Sequence, residues 1–160
     1  DLIALAESVG PGPELTPTND KTSAALAELG DYQITALPNN MIEDSLVGAP
    51  LEDGDDWYSY VRRWYYDTTN NDHVYFTYET YLTDCTNMEE RLRMLISLSM
   101  TSEPEYLTIN GYPGITMQDG SRATVAWVIG DINKGVSFQL YSEQFTVDEL
   151  LTMANGIQKK

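Results

Sequence analysis

The sequence predicts an α+β fold: a mainly antiparallel sheet of six or seven strands, with a C-terminal amphipathic helix and one or two further helices packed on it. Three observations carry this expectation. Residues 145–157 hold a capped apolar stripe at helical spacing, residues 106–141 hold four β-type segments separated by turn residues, and residues 57–82 read as a hairpin rich in aromatics.

In chain order, residues 10–19 come first, with three of the seven prolines and two of the eleven glycines. Proline fixes φ and lacks an amide hydrogen, so residues 1–19 read as an extended linker or tail and residues 20–160 as one domain. The first residue is Asp rather than Met, from which a piece cut from a longer chain is expected. A helix is expected from Lys21 to Leu29, capped by Asp20 and stopped at Gly30. Tyr32 to Leu37 alternates as a short strand would, and Asn39 and Asn40 follow as turn residues.

Trp57 to Tyr66 and His73 to Leu82 flank Asp67 to Asp72, a run of turn-forming residues, and predict a hairpin. Between Thr86 and Met100 the period changes. Thr86 with Glu89 matches a capping box, and Met88, Leu92, Leu95, Ile96 and Ser99 fall along one helical face.

The segments Tyr106–Ile109, Gly114–Gln118, Arg122–Ile129 and Val136–Tyr141 then predict strands. Asn110-Gly111 and Asp119-Gly120 are expected as hairpin turns, because these residues tolerate positive φ. Arg122–Ile129 is apolar on both faces, which places it inside a sheet with cover on each side. Thr146 with Glu149 forms the last capping box, with Phe145 set to staple onto Leu150. Val147, Leu150, Leu151, Ala154 and Ile157 make the buried stripe, and the expected core adds Val125, Trp127, Ile129, Phe138 and Leu140.

Charge and composition bound the function. The 160 residues carry a formal charge of -16, of which -11 falls in residues 1–56. Such a surface repels nucleic acid and anionic lipid. No stretch approaches the ~20 apolar residues of a membrane-spanning helix, so no such segment is expected. With Cys85 as the only cysteine and His73 as the only histidine, neither an internal disulfide nor a Cys/His zinc site can be assembled. Paired as nucleophile and base, the two would be held about 30 Å apart by an extended strand at ~3.3 Å per residue, so Cys85 is read as structural. Dinucleotide, phosphate-loop and serine-elbow motifs are absent, and no cofactor is expected.

The aromatic hairpin is the first candidate site. Ten of the 17 aromatics lie between Trp57 and Tyr81. Period-two alternation puts Tyr58, Tyr60, Trp64 and Tyr66 on one face with Arg62, and Trp57 and Tyr65 on the other. Tyr75 and Tyr81 share a face of the second strand, opposite Phe76 and Tyr78. Tyr58, Tyr60, Arg62, Trp64, Tyr66, Tyr75 and Tyr81 are therefore the candidate binding residues, since Tyr and Trp join an apolar body to a polar tip. Plain cross-strand packing is the competing reading. Calcium at Glu52, Asp53, Asp55 and Asp56 or in the Asp67–Asp72 turn lacks EF-hand spacing. A glycosidase pair needs two facing carboxyls, and Glu79 is the only acid within the hairpin strands. Arg62, Arg63, Arg91 and Arg93 are expected to pair with the acidic majority.

Leu107-Thr108-Ile109-Asn110-Gly111-Tyr112-Pro113-Gly114, then Val125-Ala126-Trp127, Phe138-Gln139-Leu140, and Glu149-Leu150-Leu151 to Ala154 and Ile157 follow one further pattern. Their order resembles a bacterial family known as domain of unknown function 4367, over about residues 105–157, with weaker support from 32–82. The resemblance implies a sheet backed by helix, broadly similar to the outer-membrane lipoprotein carriers, and a place outside the cytoplasmic membrane. It brings no catalytic residues. The expected function is a non-catalytic extracytoplasmic module that binds an envelope protein, a peptide or an apolar ligand. The alternative is a glycan-binding or glycan-hydrolysing domain using the Tyr/Trp hairpin.

Overall fold

Two runs of hairpins, each built from sequence neighbours, meet along one seam. The structure, a computed structural model, describes residues 20–38, 40–50, 58–96 and 102–160. Its elements are α1 (Asp20–Leu29), β1 (Tyr32–Ile34), β2 (Met41–Ala49), β3 (Tyr60–Asp67), β4 (His73–Leu82), α2 (Met88–Arg93), β5 (Glu105–Ile109), β6 (Tyr112–Asp119), β7 (Arg122–Gly130), β8 (Lys134–Ser142), α3 (Val147–Asn155) and β9 (Ile157–Lys159). Seven strands form one antiparallel sheet in the order β2-β3-β4-β8-β7-β6-β5, and β1 pairs with β9 apart from it. The seam is β4 against β8, running from Tyr75 opposite Tyr141 to Leu82 opposite Lys134. The fold is α+β, as the sequence predicts.

Local chemistry accounts for most boundaries. Asn110 and Gly111 both have positive φ, 54° and 83°, and close a two-residue turn with Ile109 opposite Tyr112. The next turn is displaced by one residue from expectation. Asp119 pairs with Arg122, so Gly120 and Ser121 form the loop, with the positive φ at Gly120. The capping box of Thr146 and Glu149 opens α3 as predicted. That helix stops at Asn155, and Ile157, read as its last stripe residue, instead begins β9 and packs on the core from there. The cap of α2 also shifts: Asn87 accepts from the Glu90 amide at 2.8 Å, while the Glu90 carboxylate reaches back to Thr86. Asp20 lies inside α1 rather than before it, and Gly30 (φ 96°) ends the helix as expected. Strands β2 and β9 were not expected. The 1–19 tail, Trp57, the acidic run 52–56 and Ser99 lie outside the described residues.

One sheet face carries the main core. Val61, Tyr65, Val74, Phe76, Tyr78, Val125, Trp127, Phe138 and Leu140 point into it and meet Ala25 and Leu29 of α1 and Leu150, Met153 and Ala154 of α3. Trp127 stacks on Phe138, with ring centroids 5.3 Å apart and planes within 4°. Arg63 is sealed into this face and ion-pairs with both Glu43 and Asp31, and its Nε donates to the Tyr32 carbonyl at 2.9 Å. Burial alone would lower the Arg63 pKa, but Glu43 reverses the direction and holds it raised.

The opposite face is covered over one half only. Leu92 and Ile96, with Met88 and Leu95, pack onto Tyr81, Ile115, Met117, Ala126 and Val128. Met88 and Leu92 belong to α2, and Leu95 and Ile96 to the turn that follows it. The other half of this face, on β2, β3, β4 and the near end of β8, has no such helical cover among the described residues.

Candidate functional site

Cross-strand register builds the uncovered half row by row. One row reads Ser45, Trp64, Tyr75 and Tyr141; the next reads Val47, Arg62, Thr77 and Gln139; a third reads Tyr60, Glu79 and Ser137. The first and third rows lie four residues apart, about 13 Å at ~3.3 Å per residue. The side chains of Thr77 and Gln139 are short or slender beside those two rows, so the middle row forms a floor between walls. The result is a trough of about 490 Å³ lined by Ser45, Val47, Tyr60, Arg62, Trp64, Tyr75, Thr77, Glu79, Gln139 and Tyr141, with Arg63 at its base. A smaller hollow of about 280 Å³ lies beside it, bounded by His73, Tyr75, Arg122, Tyr141, Glu143 and Gln144.

The long wall is a continuous stack. Tyr66 and His73 lie 4.9 Å apart, His73 and Trp64 5.3 Å, Trp64 and Tyr75 5.0 Å, and Tyr75 and Tyr141 4.6 Å with planes within 11°. The Arg122 guanidinium caps the series 4.4 Å from the Tyr141 ring. The Trp64 indole N–H donates to His73 Nδ1 at 2.8 Å, and Tyr66 O–H donates to Asn71 at 2.6 Å. Cross-strand packing and partial exposure thus coexist: the rings occupy one another's faces, yet Trp64, Tyr66, Tyr75 and Tyr141 all remain only half-buried.

Of the candidate residues, Tyr60, Arg62, Trp64, Tyr66 and Tyr75 come together on this face, and exposed Tyr58 precedes it. Tyr81 does not join them. Its parity matches that of Tyr75, but the Arg91 guanidinium lies 3.9 Å from its ring, and its hydroxyl donates to the Asp131 carbonyl. Burial raises the Tyr81 pKa, against the pull of Arg91, and burial lowers the Arg91 pKa. Residues overlooked in the sequence are Tyr141, Arg122, Thr77, Gln139 and Val47. The alternation of Val136 to Tyr141 already set Tyr141 opposite in parity to Phe138 and Leu140, but only the β4–β8 seam brings it to the hairpin.

The arginines depart from the expected ion pairing. Among the described residues Arg63 alone of the four makes an ion pair; Arg62 lies 4.4 Å from the Tyr60 ring, Arg91 covers Tyr81, and Arg93 donates to the Tyr106 hydroxyl at 3.3 Å. The physical reason is parity and position, since the acids are densest before residue 57, while Tyr60 lies on Arg62's own strand and Tyr81 and Tyr106 lie on sheet strands within reach of Arg91 and Arg93 from α2. Glu79 is the one carboxylate lining the trough among the described residues, and burial raises its pKa despite nearby Arg62 and Arg91.

The Asp67 carboxylate is committed to its own turn, accepting from the amides of Thr69 at 2.7 Å and Asn70 at 3.2 Å. Among the described residues no group of three or more His, Cys, Asp or Glu is placed to hold a metal ion. Cys85 is buried beyond the far end of β4 from His73, its sulfur 3.4 Å from that of Met94. No helix among the described residues is long and apolar enough to cross a membrane. No protein-family model, curated protein or solved structure matches this chain.

Proposed function

We propose that this domain is a binding module that holds a segment of a partner protein or peptide in the aromatic trough, and that it works outside the cytoplasmic membrane, as the resemblance of residues 105–157 implies. The observation that carries the reading is the uncovered half-sheet, where Tyr60, Trp64, Tyr75 and Tyr141 wall a 490 Å³ trough floored by Thr77 and Gln139. Buried aromatic anchors with polar tips dominate protein interfaces, and Arg62 adds a planar donor set at the rim.

The same geometry weighs against a glycan role. A sugar stacks on a free ring face, whereas Tyr75 is flanked by Trp64 and Tyr141, and Tyr141 by Tyr75 and Arg122. Hydrolysis by paired carboxyls needs two groups ~5–9.5 Å apart across the substrate, and Glu79 lines the trough alone among the described residues.

Site-specific photo-crosslinking tests the proposal. A photoreactive phenylalanine at Gln139 should capture an envelope polypeptide, and the same group at exposed Gln158 on β9 should not. Equal capture from both positions would overturn the assignment of the trough.

A further inference from the structure

The two edges of the main sheet are not alike. The β2 edge carries a register shift between Glu43 and Ser45, which leaves charged Asp44 exposed. Bulges and charges of this kind stop another strand from adding on. The β5 edge, Glu105-Tyr106-Leu107-Thr108-Ile109, has no bulge, proline or lysine. Because Ile109 and Tyr112 close the two-residue turn, Ile109, Leu107 and Glu105 direct their backbone groups toward β6. The N–H and C=O of Tyr106 and Thr108 therefore face outward, and no strand pairs beyond β5 among the described residues.

Beside this edge lies an apolar groove of about 520 Å³, lined by Met88 and Leu92 of α2 and by Tyr106, Leu107, Thr108 and Pro113 of the β5–β6 hairpin. Tyr106 is 41% exposed. A strand added to β5 would place alternate side chains over this groove. The surrounding charge selects the occupant. Glu103 and Glu105 lie at the start of β5 and share a hollow with Asp148, and Glu89 lines the groove; Arg93 is engaged with the Tyr106 hydroxyl. A second copy of a chain with net charge -16 would bring like charge to an acidic rim.

We propose that the β5 edge and its groove dock a cationic extended peptide by strand addition, separately from the trough. The peptide runs antiparallel to β5, with apolar residues at alternate positions and Lys or Arg at its C-terminal end beside Glu103 and Glu105.

The probes are two labelled peptides, Val-Thr-Val-Thr-Val-Lys-Lys and the same sequence ending in Glu-Glu, titrated by fluorescence anisotropy with hydrogen exchange read at individual amides. The Lys-ended peptide should bind at least tenfold more tightly and slow exchange at Tyr106 and Thr108. Thr108→Pro removes an outward N–H without breaking the β6 ladder and should abolish binding. Glu103→Lys with Glu105→Lys, both at exposed positions, should invert the peptide preference. Trp64→Ala should leave this binding unchanged, which separates it from the trough. Equal affinity for the two peptides, or unaltered exchange at Tyr106 and Thr108, would overturn the proposal. So would protection of those amides that grows with protein concentration alone, since that marks a second copy on the edge.

Discussion

The two halves of the sheet's second face differ in what their side chains can do with water. Over β6 and β7 they are Ile115, Met117, Ala126 and Val128, which carry no polar tip, and α2 with its C-terminal turn covers them. Over β3, β4 and β8 they are Trp64, Tyr75, Tyr141, Arg62, Thr77 and Gln139, each of which carries a polar atom, and they line an open trough. Apolar surface demands cover at roughly 25 cal/mol per Å², whereas tyrosine and tryptophan can satisfy one another and still face outward. One β-sheet thus makes a covered core and an open aromatic trough by changing side-chain type along a single face.

The largest expected effects test the buried side of that contrast. Trp127→Ala should cost ~3–5 kcal/mol, because the ring is buried against Phe138 and leaves a cavity. Trp64→Ala, on the open half, should cost only ~0.5–1.5 kcal/mol for its lost ring contacts. Chemical denaturation of both variants measures the difference, and equal losses would break the comparison. Adjacent arginines sharpen it further. Arg63→Ala strands Glu43 in the core and should cost ~3–5 kcal/mol, while Arg62→Ala, on the trough side, should cost ~1 kcal/mol or less.

A smaller effect concerns alkaline pH. Burial pushes Tyr78 up to about 12 and raises Tyr65 further, although backbone hydrogen bonds with Tyr32 and Ile34 oppose it. The folded state therefore holds these phenols neutral while the unfolded chain ionises near pH ~10. Their contribution is complete below that pH and is lost as pH rises toward about 12. Melting temperature should fall over this window, and Tyr78→Phe should flatten the fall while removing the hydroxyl's bonds to Gly30 and Tyr32. The smallest effect belongs to Glu79, whose raised pKa means that its contribution is present below the ordinary glutamate range and lost as pH rises through the folded value. Glu79→Gln should therefore be slightly more stable than wild type at pH 7 and lose that advantage at pH 3, by thermal melts at both.

What could be read from the chain follows the range of the forces. Asn110-Gly111, the Thr146–Glu149 box and the doubly apolar β7 are short-range signals, and each was legible. Strand β2 was not, because the bulge at Asp44 breaks its alternation. Ile157 fitted a helical stripe, and only Gly156 followed by pairing with Ile34 shows that the helix has ended. For the site, alternation separated Tyr60, Arg62, Trp64 and Tyr66 from Tyr65. It could not reveal that Arg91 would cover Tyr81 or that Tyr141 would extend the stack, since both depend on contacts between distant segments.

The most direct test of the trough is retention of a partner from an envelope extract by immobilised wild type and by the Trp64→Ala/Tyr75→Ala variant, each checked by thermal melt. Loss of the partner by a variant that still melts cooperatively is the expected result. Undiminished retention would contradict the assignment of this half-sheet as the binding surface.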